Sequence, residues 1–217
     1  RFETLVGLKG DPAALAAAVD TGDGFGSGHG GTVPRTRQTG AMRVVAGFAR
    51  GRRIVVPEGE RTRPTADRVR EAMFNSLYSL GVVEGARAID VFAGSGALGI
   101  EALSRGAEHC TFVENDRRAL DALRGNLETL DFLDESNVIA GDGPTALRVG
   151  DGYDLVLLDP PYAFDEWDSL LELIHDAVVV IESDREIDLP EGWETHRARR
   201  YGSTVVTLAT AGSASRP

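Results

Sequence analysis

Lysine is nearly missing from this 217-residue chain: it occurs once, at Lys9, so the basic side chains are almost all arginine, a bias from which no function is read. Cysteine also occurs once. Cys110 therefore has no internal disulfide partner, and its apolar setting, Cys110-Thr111-Phe112-Val113, predicts a buried, inert thiol. The four histidines, at 29, 109, 175 and 196, share no metal-ligand spacing with it or with one another, so no metal site is expected. No apolar run approaches the roughly 20 residues that a membrane helix needs, and no signal-peptide pattern opens the chain. The expectation is a soluble, cytoplasmic protein whose length suits one domain with a small appendage.

The formal net charge of −11 argues at first against a polyanionic partner, because phosphate repels acidic proteins. The charge is unevenly distributed. Residues 35 to 70 carry ten arginines against three acids, a local balance of +7, while residues 71 to 217 sum to −16. A basic arm on an acidic body reads either as a footprint for nucleic acid or as a solvated, Arg-rich hairpin, and charge alone does not separate the two.

Three segments follow from the patterning. Residues 1–41 include the glycine-rich stretch 22–31 and are expected to be a flexible extension. Residues 42–81 are expected to form a basic arm: two β-rich runs, 42–47 and 53–57, about a turn at Ala49-Arg50-Gly51, then a helix capped by Thr65. In that helix Val69, Met73, Leu77 and Leu80 share an apolar face, Arg68 and Arg70 lie opposite, and Gly81 closes it. From residue 82 strand and helix patterns alternate, which predicts an α/β fold with a mostly parallel sheet. Strands are expected at 87–92, 109–114, 136–140, 153–158 and 177–182, with helices near 97–105, 116–130, 143–149 and 165–175. Two further strands about Tyr201-Gly202-Ser203 form an antiparallel edge hairpin, which makes seven strands in all.

The most informative stretch is Tyr153 to Tyr162. Its apolar run suits a strand covered on both faces, and Pro160-Pro161 cannot extend a central ladder, so the chain must leave the sheet there. The prolines stiffen a turn that presents the Asp159 carboxylate and the Pro160 carbonyl beside the Tyr162 ring. Two acceptors beside a flat apolar plate suit a planar group with N–H donors, such as the exocyclic amine of a nucleobase. Phe164 is a candidate to extend that plate or to pack in the core.

Ligands of such sheets bind beyond the carboxyl ends of the strands. The first strand runs into Asp90-Val91-Phe92-Ala93-Gly94-Ser95-Gly96-Ala97-Leu98-Gly99, which contains G-x-G-x-x-G. By itself that motif suggests a dinucleotide, with Glu114 on ribose hydroxyls. Asp90 at the strand end weighs the other way, since a carboxylate repels pyrophosphate and attracts a cation. S-adenosylmethionine carries an ammonium and a sulfonium and no phosphate. Asp142-Gly143-Pro144 offers an acceptor for an adenine amine or, equally, a plain helix N-cap.

Taken in order, Asp90-x-Phe92-x-Gly94-x-Gly96, Glu114, Asp142 and Asp159-Pro160-Pro161-Tyr162 resemble the motif series of class I S-adenosylmethionine-dependent amino-methyltransferases. The flanks Met42 to Gly47, Gly51-Arg52-Arg53, Arg61 to Asn75, Tyr78 and Arg199 to Gly202 are similar to the RsmD family, which methylates a guanine N2 of bacterial 16S ribosomal RNA. The similarity covers roughly residues 42 to 209. It implies a Rossmann-like catalytic domain over residues 82–217 and a cofactor, S-adenosylmethionine, held by Asp90, Phe92, Ala93, Gly94, Ser95, Gly96, Glu114, Asn115, Asp142 and Gly143. It further implies catalysis by Asp159, Pro160, Pro161 and Tyr162, and phosphate contacts from Arg50, Arg52, Arg53, Arg61, Arg63 and Arg68. The implied partner is 16S ribosomal RNA within a partly assembled small subunit. Rival readings are a DNA adenine-N6 methyltransferase, for which no separate target-reading region is visible, a protein glutamine methyltransferase, whose usual pattern has Asn in place of Asp159, and a non-catalytic RNA-binding assembly factor.

Overall fold

A computed structural model describes residues 42–57, 64–150 and 152–213. The segment expected to be a flexible extension, residues 1–41, lies outside the described residues. Seven strands form one sheet: β3 (Arg87–Asp90), β4 (His109–Glu114), β5 (Ser136–Ala140), β6 (Leu155–Leu158), β7 (Val178–Ser183), β8 (Glu194–Tyr201) and β9 (Thr204–Thr210). Their order is β5-β4-β3-β6-β7-β9-β8. The first five are parallel, and the last two join antiparallel at one edge. The expected α/β sheet with an antiparallel C-terminal hairpin is what the chain adopts.

Alternation along the central strands divides the core between the two faces. Leu155 and Leu157 of β6 join Val180, Val206 and Leu208 on one side, while Val156 and Leu158 join Val179 and Ile181 on the other. A strand fully buried on both faces needs a continuous apolar run, and each such Leu or Val contributes about 1.5–3 kcal/mol. The connecting helices are α2 (Ala97–Ser104), α3 (Arg117–Leu130), α4 (Gly143–Val149) and α5 (Trp167–Leu171). Asp116 caps α3 by accepting from the Arg118 and Ala119 N–H groups, and Asp131 ends it in the left-handed region at φ 62°. The helix expected over 165–175 is only the five residues of α5. Leu173 and Ile174 donate to carbonyls three residues back, and Asp176 turns at φ 52°, so the chain tightens and reverses before β7.

The arm differs more from expectation. Its hairpin strands, β1 (Met42–Arg43) and β2 (Arg53–Ile54), are two residues each, far shorter than the runs 42–47 and 53–57. The backbone beyond them finds side-chain partners in place of a ladder. Val45 and Ala46 donate to the Glu101 carboxylate at 2.8 and 3.0 Å, and Ala49 donates to Ser104 Oγ at 2.9 Å. The Asn126 side chain accepts from Val55 N–H and donates to Val55 O, both at 2.8 Å. The helix α1 (Pro64–Leu80) starts one residue before Thr65, with proline in its first position, where the missing N–H costs nothing. Val69, Met73 and Leu77 are buried as expected, whereas Phe74 is also fully buried and Leu80, at the helix end, is exposed.

Arg70 does not share the solvent face with Arg68. It is 3% exposed, ion-paired with the fully buried Glu101 at 3.5 Å, and donates to the Arg43 carbonyl. The physical reason is that α1 packs against α2 and the hairpin as well as on the sheet, so its flank is covered too. Among the described residues no helix is long and apolar enough to cross a membrane.

Candidate active site

Four strand ends of the parallel sheet open into one cavity of about 980 Å³. Its wall takes in Phe92 to Ser95 after β3, Glu114 to Asp116 after β4, Gly141 to Pro144 after β5, and Asp159 to Tyr162 after β6. The last of these is the stiff corner expected from the two prolines. Its turn closes through the Phe164 N–H, which donates to the Pro161 carbonyl at 2.8 Å. Asp159 is exposed to the cavity, Pro160 is buried, and the Tyr162 ring is 41% exposed with its hydroxyl 3.4 Å from Thr204 Oγ1. Phe164 lies edge-on between Phe92 and Trp167, with centroids 5.3 and 5.1 Å away, so it packs the corner from behind as well as lining the cavity.

The glycine loop divides its labour. Gly94 has φ 53°, and a Cβ built there meets nothing within 4 Å, so this is the point of closest access to the backbone. Gly96 and Gly99 serve packing. A Cβ on Gly96 would lie 2.5 Å from Leu123, and one on Gly99 would lie 2.3 Å from the Phe112 ring. Gly96 does not line the cavity, nor does Asp90. Asp90 is in register with Phe112 and Leu157, two residues short of Glu114 and Asp159, and lies under α2 instead of on the cavity wall. There it is 1% exposed and accepts the Gly99 N–H at 2.9 Å, while its other oxygen lacks a partner. Burial pushes its pKa up to about 7, against the lowering effect of the Gly99 hydrogen bond and with a further push from the Glu114 charge.

Glu114 is held at the tip of β4. One oxygen accepts the Gly94 N–H at 2.8 Å, and the other accepts the Asn115 and Asp116 N–H groups at 2.7 Å each. A carboxylate with one oxygen on a single donor keeps room to accept hydroxyls from the cavity side. Asp142 caps α4 by accepting the Thr145 N–H at 2.9 Å, and that bond lowers its pKa. It lines the cavity as well, so capping and ligand contact are compatible at this residue.

The charge of the lining weighs on the two cofactor classes that the glycine motif left open. Six carboxylates (Glu114, Asp116, Asp142, Asp159, Glu166, Glu182) border the cavity, and among the described residues no arginine, lysine or histidine does. A pyrophosphate finds no counter-charge here. A cationic sulfonium with an ammonium group does, and its adenosine can use Glu114 and the Asp142 loop.

The arginines lie elsewhere. Arg50 and Arg53 are exposed on the hairpin and Arg68 is exposed on α1, while Arg61 and Arg63 lie outside the described residues. Arg52 is exposed too, but its guanidinium is engaged: it donates to the Thr129 and Leu130 carbonyls and pairs with Asp131 at 3.2 Å, closing the C-terminal end of α3. A role for Arg52 in gripping phosphate competes with that cap.

Residues 42–210 match the family described as conserved hypothetical protein 95. Ribosomal RNA small subunit methyltransferase D of Escherichia coli is 37% identical over 185 residues, covering 81% of this chain and 92% of that protein. The chain belongs to the RsmD family. The protein of the same name from Haemophilus influenzae is 35% identical over 176 residues, covering 75% of this chain and 90% of its own length. A solved Escherichia coli structure superposes with a TM-score of 0.71 at 35% identity, covering 80% of this chain and 99% of its own. The RsmD resemblance drawn from the motifs is thereby borne out.

Several cavity residues escaped the sequence reading. They are the apolar Met42 and Val69, the acid Glu182 and the hairpin turn Tyr201 to Thr204. Glu182 had a readable signal, an acid ending the apolar run Ala177 to Ile181, the same pattern that drew attention to Asp159. Met42 and Val69 had none, because nothing local says that the arm folds over the corner.

Proposed function

We propose that this protein transfers a methyl group from S-adenosylmethionine to the exocyclic N2 of a guanine in 16S ribosomal RNA, presented by a partly assembled small subunit in the cytoplasm. The observation that carries the reading is a single acid-lined cavity joining the glycine loop to the Asp159-Pro160-Pro161-Tyr162 corner, in a chain of the RsmD family. When bound, S-adenosylmethionine supplies an electrophilic methyl on a sulfonium. Gly94, Glu114 and the Asp142 loop are the residues that would hold it, with Phe92 against its apolar parts.

At the corner, Tyr162 stacks on a guanine that has left its helix or loop. Asp159 and the Pro160 carbonyl accept the two N2 hydrogens, which withdraws the amine lone pair from conjugation and aims it at the cofactor side. With the amine so aimed at the methyl that the bound cofactor would supply, its N2 proton would leave to Asp159 or to water. Orientation and electrostatics supply most of the barrier reduction, with no strong base needed beforehand. Arg50, Arg53 and Arg68 contact phosphate from the arm.

Labelled methyl transfer tests the reading. Small-subunit particles from an unmodified strain are expected to accept the label, and duplex DNA and peptide controls are not. Label in DNA adenine, or binding of particles with no transfer, would overturn it in favour of the adenine methyltransferase or the assembly factor.

A further inference from the structure

The corner is proposed to hold a guanine, yet Asp159 and the Pro160 carbonyl address only its amine, which adenine and cytosine also carry. A second acid stands beside them. Leu158 of β6 and Ile181 of β7 are register partners in the parallel ladder, and the next residue of each chain is Asp159 and Glu182. Both acids border the same cavity, whose lining also includes the apolar Met42 and Val69. Glu182 is half-buried and sits opposite Val206 of β9, two residues from Thr204. Two side-by-side acceptors with a hydroxyl at one end form an edge reader and not a single anchor.

We infer that Glu182 is the residue that makes the site specific for guanine, its carboxylate accepting the ring N1–H while Asp159 and the Pro160 carbonyl take the N2 amine. This rests on the methyl transfer to guanine N2 proposed above and adds the basis of its selectivity. Guanine presents N1–H and N2–H donors on one edge, a run of donors that a pair of acceptor-only carboxylates matches. Adenine and cytosine present an unprotonated ring nitrogen beside the amine. Its lone pair would face the Glu182 carboxylate, which has no proton to offer. A site built around a substrate N–H rejects the analogue lacking it far more strongly than it rejects a change of shape.

The test replaces the base and the side chain together. Once mass mapping has placed the modified guanine, small-subunit particles are reconstituted with either guanine or 2-aminopurine at that position. 2-Aminopurine keeps the N2 amine and carries a bare N1. Wild-type protein is expected to methylate guanine and to leave 2-aminopurine almost untouched. Glu182→Gln offers an amide donor in place of the second carboxylate oxygen. It is expected to lose about ten- to a hundred-fold in kcat/KM on guanine and to gain on 2-aminopurine, so that the preference between them collapses. Glu182→Asp, which keeps the charge but shortens the reach, is expected to lose rate on guanine while keeping the preference, and it serves if the amide variant folds poorly. S-adenosylmethionine binding by calorimetry is expected to be unchanged in both.

A Glu182→Gln protein that keeps the wild-type preference, or loses activity on both bases in proportion, would overturn the inference while leaving the reaction intact. Wild-type protein that leaves guanine particles unmethylated would refute the reaction, and this inference with it.

Discussion

Two carboxylates on either side of α2's first turns share near-complete burial and little else. Glu101, which joins the arm to the body, meets the Val45 and Ala46 N–H groups, Arg105 at 2.7 Å and Arg70. Asp90, under the glycine loop, has one N–H donor and one oxygen without a partner. The junction is therefore a charge-compensated polar cluster: Glu101 has donors on both oxygens, although Arg70 Nε and one Arg105 terminal nitrogen lack hydrogen-bond partners among the described residues. The site is under-saturated: its buried acid is pushed toward the neutral form, and its remaining acids border an open cavity. The contrast separates stability from chemistry. Changes at the junction are expected to cost folding and to spare the cavity, and changes at the corner are expected to do the reverse.

The largest expected effect is at the junction. Glu101→Ala removes the buried acid that Arg70 and Arg105 share, leaving Arg70 only the half-exposed Asp67 at 3.0 Å, and a loss of about 3–5 kcal/mol in unfolding free energy by denaturant titration is expected. A loss under about 1 kcal/mol would mean that the arm is held by its apolar contacts alone. At the corner, Asp159→Ala is expected to lower turnover by about 10²–10³-fold in labelled methyl transfer, with thermal stability and S-adenosylmethionine affinity near wild type. Turnover and stability falling together would erase the distinction between the two regions.

Asp90 sharpens the comparison through pH. Its folded-state pKa, about 7, lies above the ordinary carboxylate value of 3.8, so the folded state keeps a proton that the unfolded state has released. Its contribution to stability is present at low pH and is lost as pH rises toward 7. In Asp90→Asn that loss disappears. The variant is expected to gain roughly 2–3 kcal/mol relative to wild type between pH 5 and pH 8, read from paired denaturation curves. A parallel pair of curves would place the Asp90 proton elsewhere.

The smallest effect belongs to the exposed arm. Replacing Arg50 and Arg53 by Gln is expected to weaken RNA binding and flatten its salt dependence by about 0.7 in logarithmic slope per lost single-strand phosphate contact, with no change in stability. Arg52→Gln is expected to act differently, lowering stability through the end of α3.

The sheet was legible because its signals are local. Val156-Leu157-Leu158 ending on Asp159-Pro160-Pro161 announces a buried strand and its exit, and Asp116 and Asp142 cap their helices as acids at such positions do. The arm was misread where its backbone is satisfied from far away in sequence. Val45 and Ala46 look like strand, but Glu101 and Ser104, more than fifty residues on, take their hydrogen bonds. Arg70 looked solvated because a helical pattern shows which face is apolar and not what covers its flanks. For Arg52, a charge count does not show the three oxygens at the end of α3 that its guanidinium meets.

By itself the sequence determined the alternating α/β order, the strand that empties into the acidic corner, the glycine loop and the family. Each of these depends on neighbours within a few residues, through side-chain periodicity, proline geometry and capping. Only the tertiary structure decided which acid faces the cavity and which is buried, since Asp90, in register with Leu157, lies two residues deeper along the ladder than Asp159 and is covered by α2. It alone brought Asp159 and Glu182 together, because register between parallel strands is set by the packing of the whole sheet and is written in neither strand.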